Sequence, residues 1–362
     1  MKYQAKRILV ISTRQIGDAL LITPLVRSLR LSYPKAKIDV LVFQDKQGVL
    51  AGNPDITEVI TIPEHPGFIR YCRLLGRLFK RYDIALSTLT GDRPILYAAL
   101  FGKKRLAIVE PDRRRDHWKR LLLQGWTELD DEKTHTVVQN LRLADLLAIP
   151  RNYTVTVPSS PDSAARLDAA LPFDWRSIPY AVLHLCPMWH YKRWTQTGWR
   201  DTVAYLLQQG LRIVLTGGNG QEELDYIQAT FPQRPADVIN LAGKLRFAEV
   251  SRLIQASKLY IGPDTAVTHI AAATGAPTIA LFGPTNPLKW APWPATYADG
   301  KTPFQKVGSQ TVGNVTLLQG PGECVPCHQE GCERHKQSYS QCLDDLPSSA
   351  VLAAIDNILQ KA

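Results

Sequence analysis

The chain has 362 residues, 45% of them apolar, enough for roughly two domains that each bury a core. Its net charge of +10 and pI near 9.3 point to an anionic partner, whether nucleic acid, anionic lipid or a phosphorylated substrate, over an idle basic surface. No helix-turn-helix, zinc finger or aromatic RNA-binding motif occurs, which sets nucleic acid aside, and no apolar run nears the ~18 residues of a membrane span.

Apolar β-rich runs alternate with helical patterns, which predicts an α/β architecture with mainly parallel sheets. Residues 1–10 hold a strand instead of a signal-peptide core, so a cytoplasmic location is expected. In the first half, strands are predicted at 7–12, 38–43, 58–62, 84–87 and 105–108. Helices are predicted at 18–32, 69–81, 93–101 and 137–147.

The opening unit, "ILVISTRQIGDALLITPLVRSL", is a strand, a turn and a helix. A phosphate-binding turn of this kind usually has several glycines, whereas this one has Gly17 and then an acid, Asp18. At a helix start the dipole favours the charged form of that acid. Further on, "PDRRRDHWKR" reads as an exposed basic loop. Arg113, Arg114, Arg115, Lys119 and Arg120 would meet acceptor phosphates or an anionic membrane face there, unless they only aid solubility.

A Pro- and Ser-containing stretch, 150–179, is the expected linker. It sets domains at 1–172 and 173–345, with a helix over 346–362 returning to the first. After it the alternation restarts, with strands at 180–185, 212–216, 238–240, 259–261 and 278–282. Helices follow at 198–209, 221–230, 247–256 and 267–273. Two doubly wound domains facing a cleft are implied, with ligands at the carboxyl ends of the strands.

In "HLCPMWHYKRW", Lys192 and Arg193 lie beyond such a strand end, where fixed cations would neutralise a departing diphosphate. Trp189 and Trp194 are equally suited to stacking on a sugar or to packing. "VLTGGNGQEELDYI" is a second strand–glycine–helix unit. Thr216, Gly217 and Gly218 form its turn, and Glu222 is placed to bind ribose hydroxyls.

The strongest local signal is "YIGPDTAVTHIAAATGAPTIALFGPTNP". A strand runs into a turn holding Asp264 and Thr265, and a helix begins near Ala266, with His269 one turn on. Small residues at Gly262, Thr265 and Ala266 would let a diphosphate approach the free N–H groups of the helix start. Asp264 would accept hydrogen bonds from sugar hydroxyls. In isolation it would be a helix cap worth about 1 kcal/mol.

The tail holds Cys324, Cys327, Cys332 and Cys342, whose first pair has metal-hook spacing. A structural zinc site or free thiols are the two readings. Cys72 and Cys186 read as buried small apolar residues.

Taken in order, "GDALLITP", "HYKRW" and "GPDTAVTHIAAATGAPTIALFGPTNP" resemble glycosyltransferase family 9, the lipopolysaccharide heptosyltransferases. The first half, with "LRLSYPKAKIDVLVFQDKQGVLAGNPDITEVI", is most similar to the heptosyltransferase III branch. The resemblance implies a GT-B fold and inverting heptose transfer that needs no metal cofactor. The donor would be ADP-L-glycero-β-D-manno-heptose and the acceptor a heptose of the lipopolysaccharide core, at the cytoplasmic face of the inner membrane. It assigns Asp18 as general base and Lys192 as the phosphate-binding lysine. Asp264, Thr265, Ala266 and His269 fall on the family's sugar- and phosphate-binding positions, Glu222 on its ribose-binding acid and Leu245 on an adenine wall. Thr195 stands where relatives often have Pro. Two other readings compete: a GT-B transferase of another sugar, and a non-catalytic nucleotide-sugar-binding protein in which Asp18 only caps a helix. A nicotinamide-dependent dehydrogenase is discounted, because no Gly-x-Gly-x-x-Gly follows either first strand.

Overall fold

The computed structural model describes residues 5–360, apart from the side chains of Arg113 and Arg115. Two compact units divide the chain, Met1–Thr156 with Ala298–Thr302, and Val157–Tyr297 with Pro303–Ala362.

In the first unit the strands are β1 (Arg7–Ser12), β2 (Lys37–Phe43), β3 (Glu58–Ile62), β4 (Tyr82–Ser87), β5 (Gly102–Val109) and β6 (Gly125–Glu128). All six are parallel, in the order β3-β2-β1-β4-β5-β6. The helices are α1 (Ile16–Leu21), α2 (Thr23–Ser32), α3 (Phe68–Leu78), α4 (Asp92–Phe101), α5 (Arg113–Leu122) and α6 (Thr136–Asp145). Ile8 to Ile11 of β1 are fully buried, because a parallel sheet is covered on both faces.

The single helix expected over 18–32 is two. Pro24 has no N–H to give the carbonyl of Leu20, and the Thr23 hydroxyl bonds that carbonyl instead, at 2.8 Å. Helix α5 occupies the stretch read as a basic loop. Apolar periodicity could not reveal it, since the residues it buries include the pair Asp116 and Lys119.

The second unit holds α7 (Ser163–Ala170), β7 (Tyr180–His184), α8 (Gln196–Gln208), β8 (Arg212–Thr216), α9 (Gln221–Thr230), β9 (Val238–Asn240) and α10 (Phe247–Ala256). Then come β10 (Leu259–Pro263), α11 (Ala266–Thr274), β11 (Thr278–Phe282), α12 (Pro287–Trp290), β12 (Gln310–Val312), β13 (Val315–Gln319), α13 (Gln341–Asp344) and α14 (Ser348–Leu359). Its sheet runs β12-β13-β11-β10-β7-β8-β9, parallel throughout except for the edge strand β12. Both parallel sheets thus share the doubly wound order, with a switch point beside the first strand of each unit.

The division falls earlier than residue 172. Leu167 of α7, inside the expected linker, is buried with Tyr180, Leu253 and Tyr260 of the second unit. The closing helix α14 belongs to that unit too. Its Val351, Ala354 and Ile355 share a core with Trp194 and Trp199. The segment that returns to the first unit is 298–302, where the Thr302 hydroxyl accepts from the His135 N–H at 3.2 Å. Among the described residues no helix is long and apolar enough to cross a membrane.

Candidate functional site

The switch point of the second unit lies between β7 and β10. After β7 the chain makes a short 3-10 turn, His190–Lys192. After β10 it turns through Asp264 into α11. Lys192 Nζ and Asp264 Oδ2 meet there at 2.5 Å. Burial alone would raise the Asp264 carboxyl, and the adjacent Lys192 ammonium opposes it. Helped by the His269 side chain and the Thr285 hydroxyl, it holds the group below its ordinary value. Thr285 belongs to the "FGPTNP" turn, and its contact with Asp264 was not foreseen. Thr195 caps α8 by accepting from the Gly198 N–H at 3.0 Å, and so sets the start of that helix.

Thr265 is the N-cap of α11, and its hydroxyl accepts from the Thr268 N–H. That leaves the amides of Ala266 and Val267 outside the helix ladder, at the positive end of the helix dipole. Gly262 serves another purpose than the one expected. A Cβ there would fall 2.2 Å from the Tyr260 hydroxyl, so the glycine makes room for that ring.

His269, on the first turn of α11, is buried, and its Nδ1 has no hydrogen-bond partner. His184, at the end of β7, is buried as well. Burial pushes each imidazole down to about 4. An unfolded histidine takes a proton near pH 6.5. Between that value and 4 the unfolded chain therefore binds more protons than the folded one. Stability falls as pH falls through this window, by up to about 3 kcal/mol for each histidine. Urea unfolding at stepped pH should show this loss, and His184→Gln should flatten it. The depressed Asp264 acts at lower pH: its stabilisation holds above the ordinary carboxyl value and is lost only as pH drops through the folded one.

The "TGGNG" turn differs from its expected use. The Thr216 hydroxyl lies 3.1 Å from His184 Nδ1 and also bonds the Leu183 carbonyl, so it is engaged inside the fold. The Gly218 N–H donates to Glu223 at 2.5 Å, and a Cβ on Gly218 would meet that carboxylate at 2.8 Å. Gly217 would press on Ala242 and the same carboxylate. These glycines therefore accommodate Glu223, whose carboxyl is raised mainly by burial. Glu222 lies outward, its side chain 57% exposed and paired with Arg193 at 2.5 Å. Leu245 is half-buried against the apolar cluster beneath it.

In the first unit Asp18 sits in the first turn of α1, after the carboxyl end of β1. Its side chain is 12% exposed and lies 3.7 Å from the Arg14 guanidinium. The proposed acceptor cations fare differently. Lys119 is buried, bonded to Asp116 at 2.6 Å, Asp92 at 3.0 Å and the Thr90 carbonyl at 2.8 Å. Arg120 holds the Glu110 carbonyl and Glu128. Lys119 is thus engaged inside the fold, whereas Nε and one terminal nitrogen of Arg120 are buried with no hydrogen-bond partner. Arg114 is exposed, and the side chains of Arg113 and Arg115 lie outside the described residues.

Trp194 is a packing residue, buried edge-on to Trp199 with its indole N–H on the Leu346 carbonyl at 2.9 Å. Cys186 is buried, whereas Cys72 is exposed on α3. Among the described residues no three His, Cys, Asp or Glu side chains form a group that could hold a metal. Cys324, Cys327, Cys332 and Cys342, the candidate zinc ligands, make no such group, and none of them is in a disulfide. Cys342 is buried, and its thiol is pushed up to about 12, by burial first and by the neighbouring cysteines second.

Residues 94–306 match Glycosyltransferase family 9 (heptosyltransferase). The chain is 31% identical over 359 residues to lipopolysaccharide heptosyltransferase 3 of Escherichia coli K12, covering 96% of each protein. Among solved structures it is similar to E. coli ADP-heptose lps heptosyltransferase II, with a TM-score of 0.75 and 21% identity over 98% of this chain and 99% of that one. It is also similar to E. coli heptosyltransferase WaaC with ADP-2-deoxy-2-fluoro heptose, with a TM-score of 0.69 and 19% identity over 97% and 99%. The fold is thus GT-B, built from two Rossmann-like units. With its switch-point cation and its free helix start in place, the chain belongs to glycosyltransferase family 9, the heptosyltransferases.

Proposed function

We propose that the protein transfers heptose, with inversion, from ADP-L-glycero-β-D-manno-heptose to a heptose of the lipopolysaccharide inner core. The work would be done in peripheral contact with the cytoplasmic face of the inner membrane. The observation that carries this reading is the Lys192–Asp264 pair at the amino end of α11, on the switch point of the second unit. Likeness to a heptosyltransferase solved with ADP-2-deoxy-2-fluoro heptose, and to E. coli lipopolysaccharide heptosyltransferase 3, supports the choice of donor and acceptor.

In this reading the diphosphate rests on Lys192 and the amides at the start of α11, at Thr265 and Ala266. His269, neutral and with an unpartnered nitrogen, would offer that nitrogen to the same group. Asp264 accepts from sugar hydroxyls, Glu222 from ribose, and Leu245 lies against adenine. Thr216, Gly217 and Gly218 support the nucleotide from behind, through His184 and Glu223. The acceptor oxygen attacks the anomeric carbon from the face opposite the diphosphate. The new glycosidic bond forms as the bond to ADP breaks, and ADP departs with the electron pair. The acceptor proton passes to the Asp18 carboxylate, late in the step because a carboxylate is a weak base at neutral pH. Positive charge from Lys192 and the helix dipole fills the place that a divalent cation fills elsewhere, so transfer proceeds without one.

The test is a panel of defined lipopolysaccharide core acceptors with ADP-heptose, followed by mass spectrometry. One heptose should be added to a heptose-bearing acceptor, with inverted configuration by NMR and unchanged yield in a metal chelator. Preferred use of another nucleotide sugar, or donor binding with no turnover on any acceptor, would replace the reading.

A further inference from the structure

We propose that helix α3 docks the first unit on an anionic lipid bilayer, with Phe68 and Ile69 entering the interface and Arg70 and Arg73 meeting phosphate headgroups. Phe68 is 81% and Ile69 71% exposed, the two most exposed large apolar side chains at the start of any helix described here. The inward face of α3 is satisfied, since Leu74 and Leu78 lie in the first unit's core with Tyr71 and Leu75 against them. Ile69, Cys72, Arg73 and Gly76 fall along the opposite face and are exposed.

Charge identifies the partner. From His65 to Arg81 the chain has Arg70, Arg73, Arg77, Lys80 and Arg81 and no Asp or Glu. Arg77 is paired with Glu58, whereas Arg70 and Arg73 make no ion pair among the described residues. A one-signed cluster beside a small apolar tip is the composition of an interfacial helix, whose apolar groups enter the acyl boundary while cations stay with the headgroups. Two apolar side chains are far too few for the roughly 800 Å² that each side of a stable protein interface contributes. A bilayer needs no shaped core, and a nucleic acid would leave Phe68 and Ile69 in water.

Position adds a reason. Strands β1 and β3 are parallel members of one sheet, so the segments after them emerge on the same edge. Asp18 follows β1 and Phe68 follows β3. A bilayer held at α3 would therefore lie on the edge of the first unit that bears the proposed base, where an acceptor sugar on a lipid anchor must arrive. This last link rests on the transferase reading; the docking itself rests on α3 alone.

Co-sedimentation of the full chain with vesicles of phosphatidylcholine, with and without phosphatidylglycerol, tests it. Binding should require the anionic lipid and weaken with salt. Phe68→Ser with Ile69→Ser should lower partitioning at least about tenfold. Arg70→Gln with Arg73→Gln should lower it roughly 30-fold and flatten the salt dependence. Both double variants should keep wild-type turnover on a lipid-free core acceptor. Equal binding to neutral vesicles, or wild-type partitioning by either variant, overturns the proposal. A wild-type protein that binds anionic vesicles but transfers no heptose supports the docking and overturns the transferase reading instead.

Discussion

Asp18→Asn is expected to lower kcat about a thousandfold while leaving affinity for the ADP-heptose donor within about twofold. The exchange keeps the shape of the side chain and removes only its capacity to take a proton. Asp18 lies in the first turn of α1, where an amide is tolerated, and Arg14 at 3.7 Å is too exposed a partner for its loss to unfold the unit. The donor contacts proposed above come from the second unit, so binding should persist. Calorimetric titration with the donor, paired with turnover measured by mass spectrometry, separates the two quantities. Near-normal turnover in the Asn variant would remove Asp18 from the mechanism and leave it as a helix-start acid.

Lys192→Ala should be costly twice over. Asp264 is buried, and without Lys192 its carboxylate would stand uncompensated, which typically destabilises by about 3 kcal/mol or more. Its carboxyl should then rise, because burial would act unopposed by the ammonium. The loss of a cation at the departing diphosphate should also cut kcat/KM by about two to three orders of magnitude. The two effects can be parted with Lys192→Ala combined with Asp264→Asn. That double variant should recover most of the stability and none of the turnover. Full turnover in Lys192→Ala would mean that the pair is structural only.

The candidate residues of each unit are largely legible in the sequence. The opening strand, turn and helix placed Asp18, and the "GPDTAVTH" stretch placed Asp264, Thr265 and His269, because each is a local pattern at the end of an apolar run. Lys192 was legible as a cation beyond a strand end. Its partner was not, since 72 residues separate it from Asp264 and only strand pairing brings β7 beside β10. Glu222 and Glu223 are neighbours in the first turn of α9, equal in propensity. The fold decides that Glu223 turns in to the Gly218 amide while Glu222 faces out to Arg193.

Misreadings share one cause. Lys119 and Arg120 look like free cations in "PDRRRDHWKR", yet Asp92 and Asp116 make Lys119 an inward ion pair. Periodicity reports which residues are apolar, and burial of a charge depends on a countercharge that periodicity cannot see.

By itself the sequence determined the alternation of strands and helices, the two-unit α/β architecture and the residue types at each strand end. These follow from local burial patterns and turn chemistry. The tertiary structure alone decided which charges meet, which glycines serve a neighbouring side chain, and that α14 completes the second unit's core. Those outcomes depend on contacts between segments far apart in the chain, whose geometry exists only once the sheets have formed.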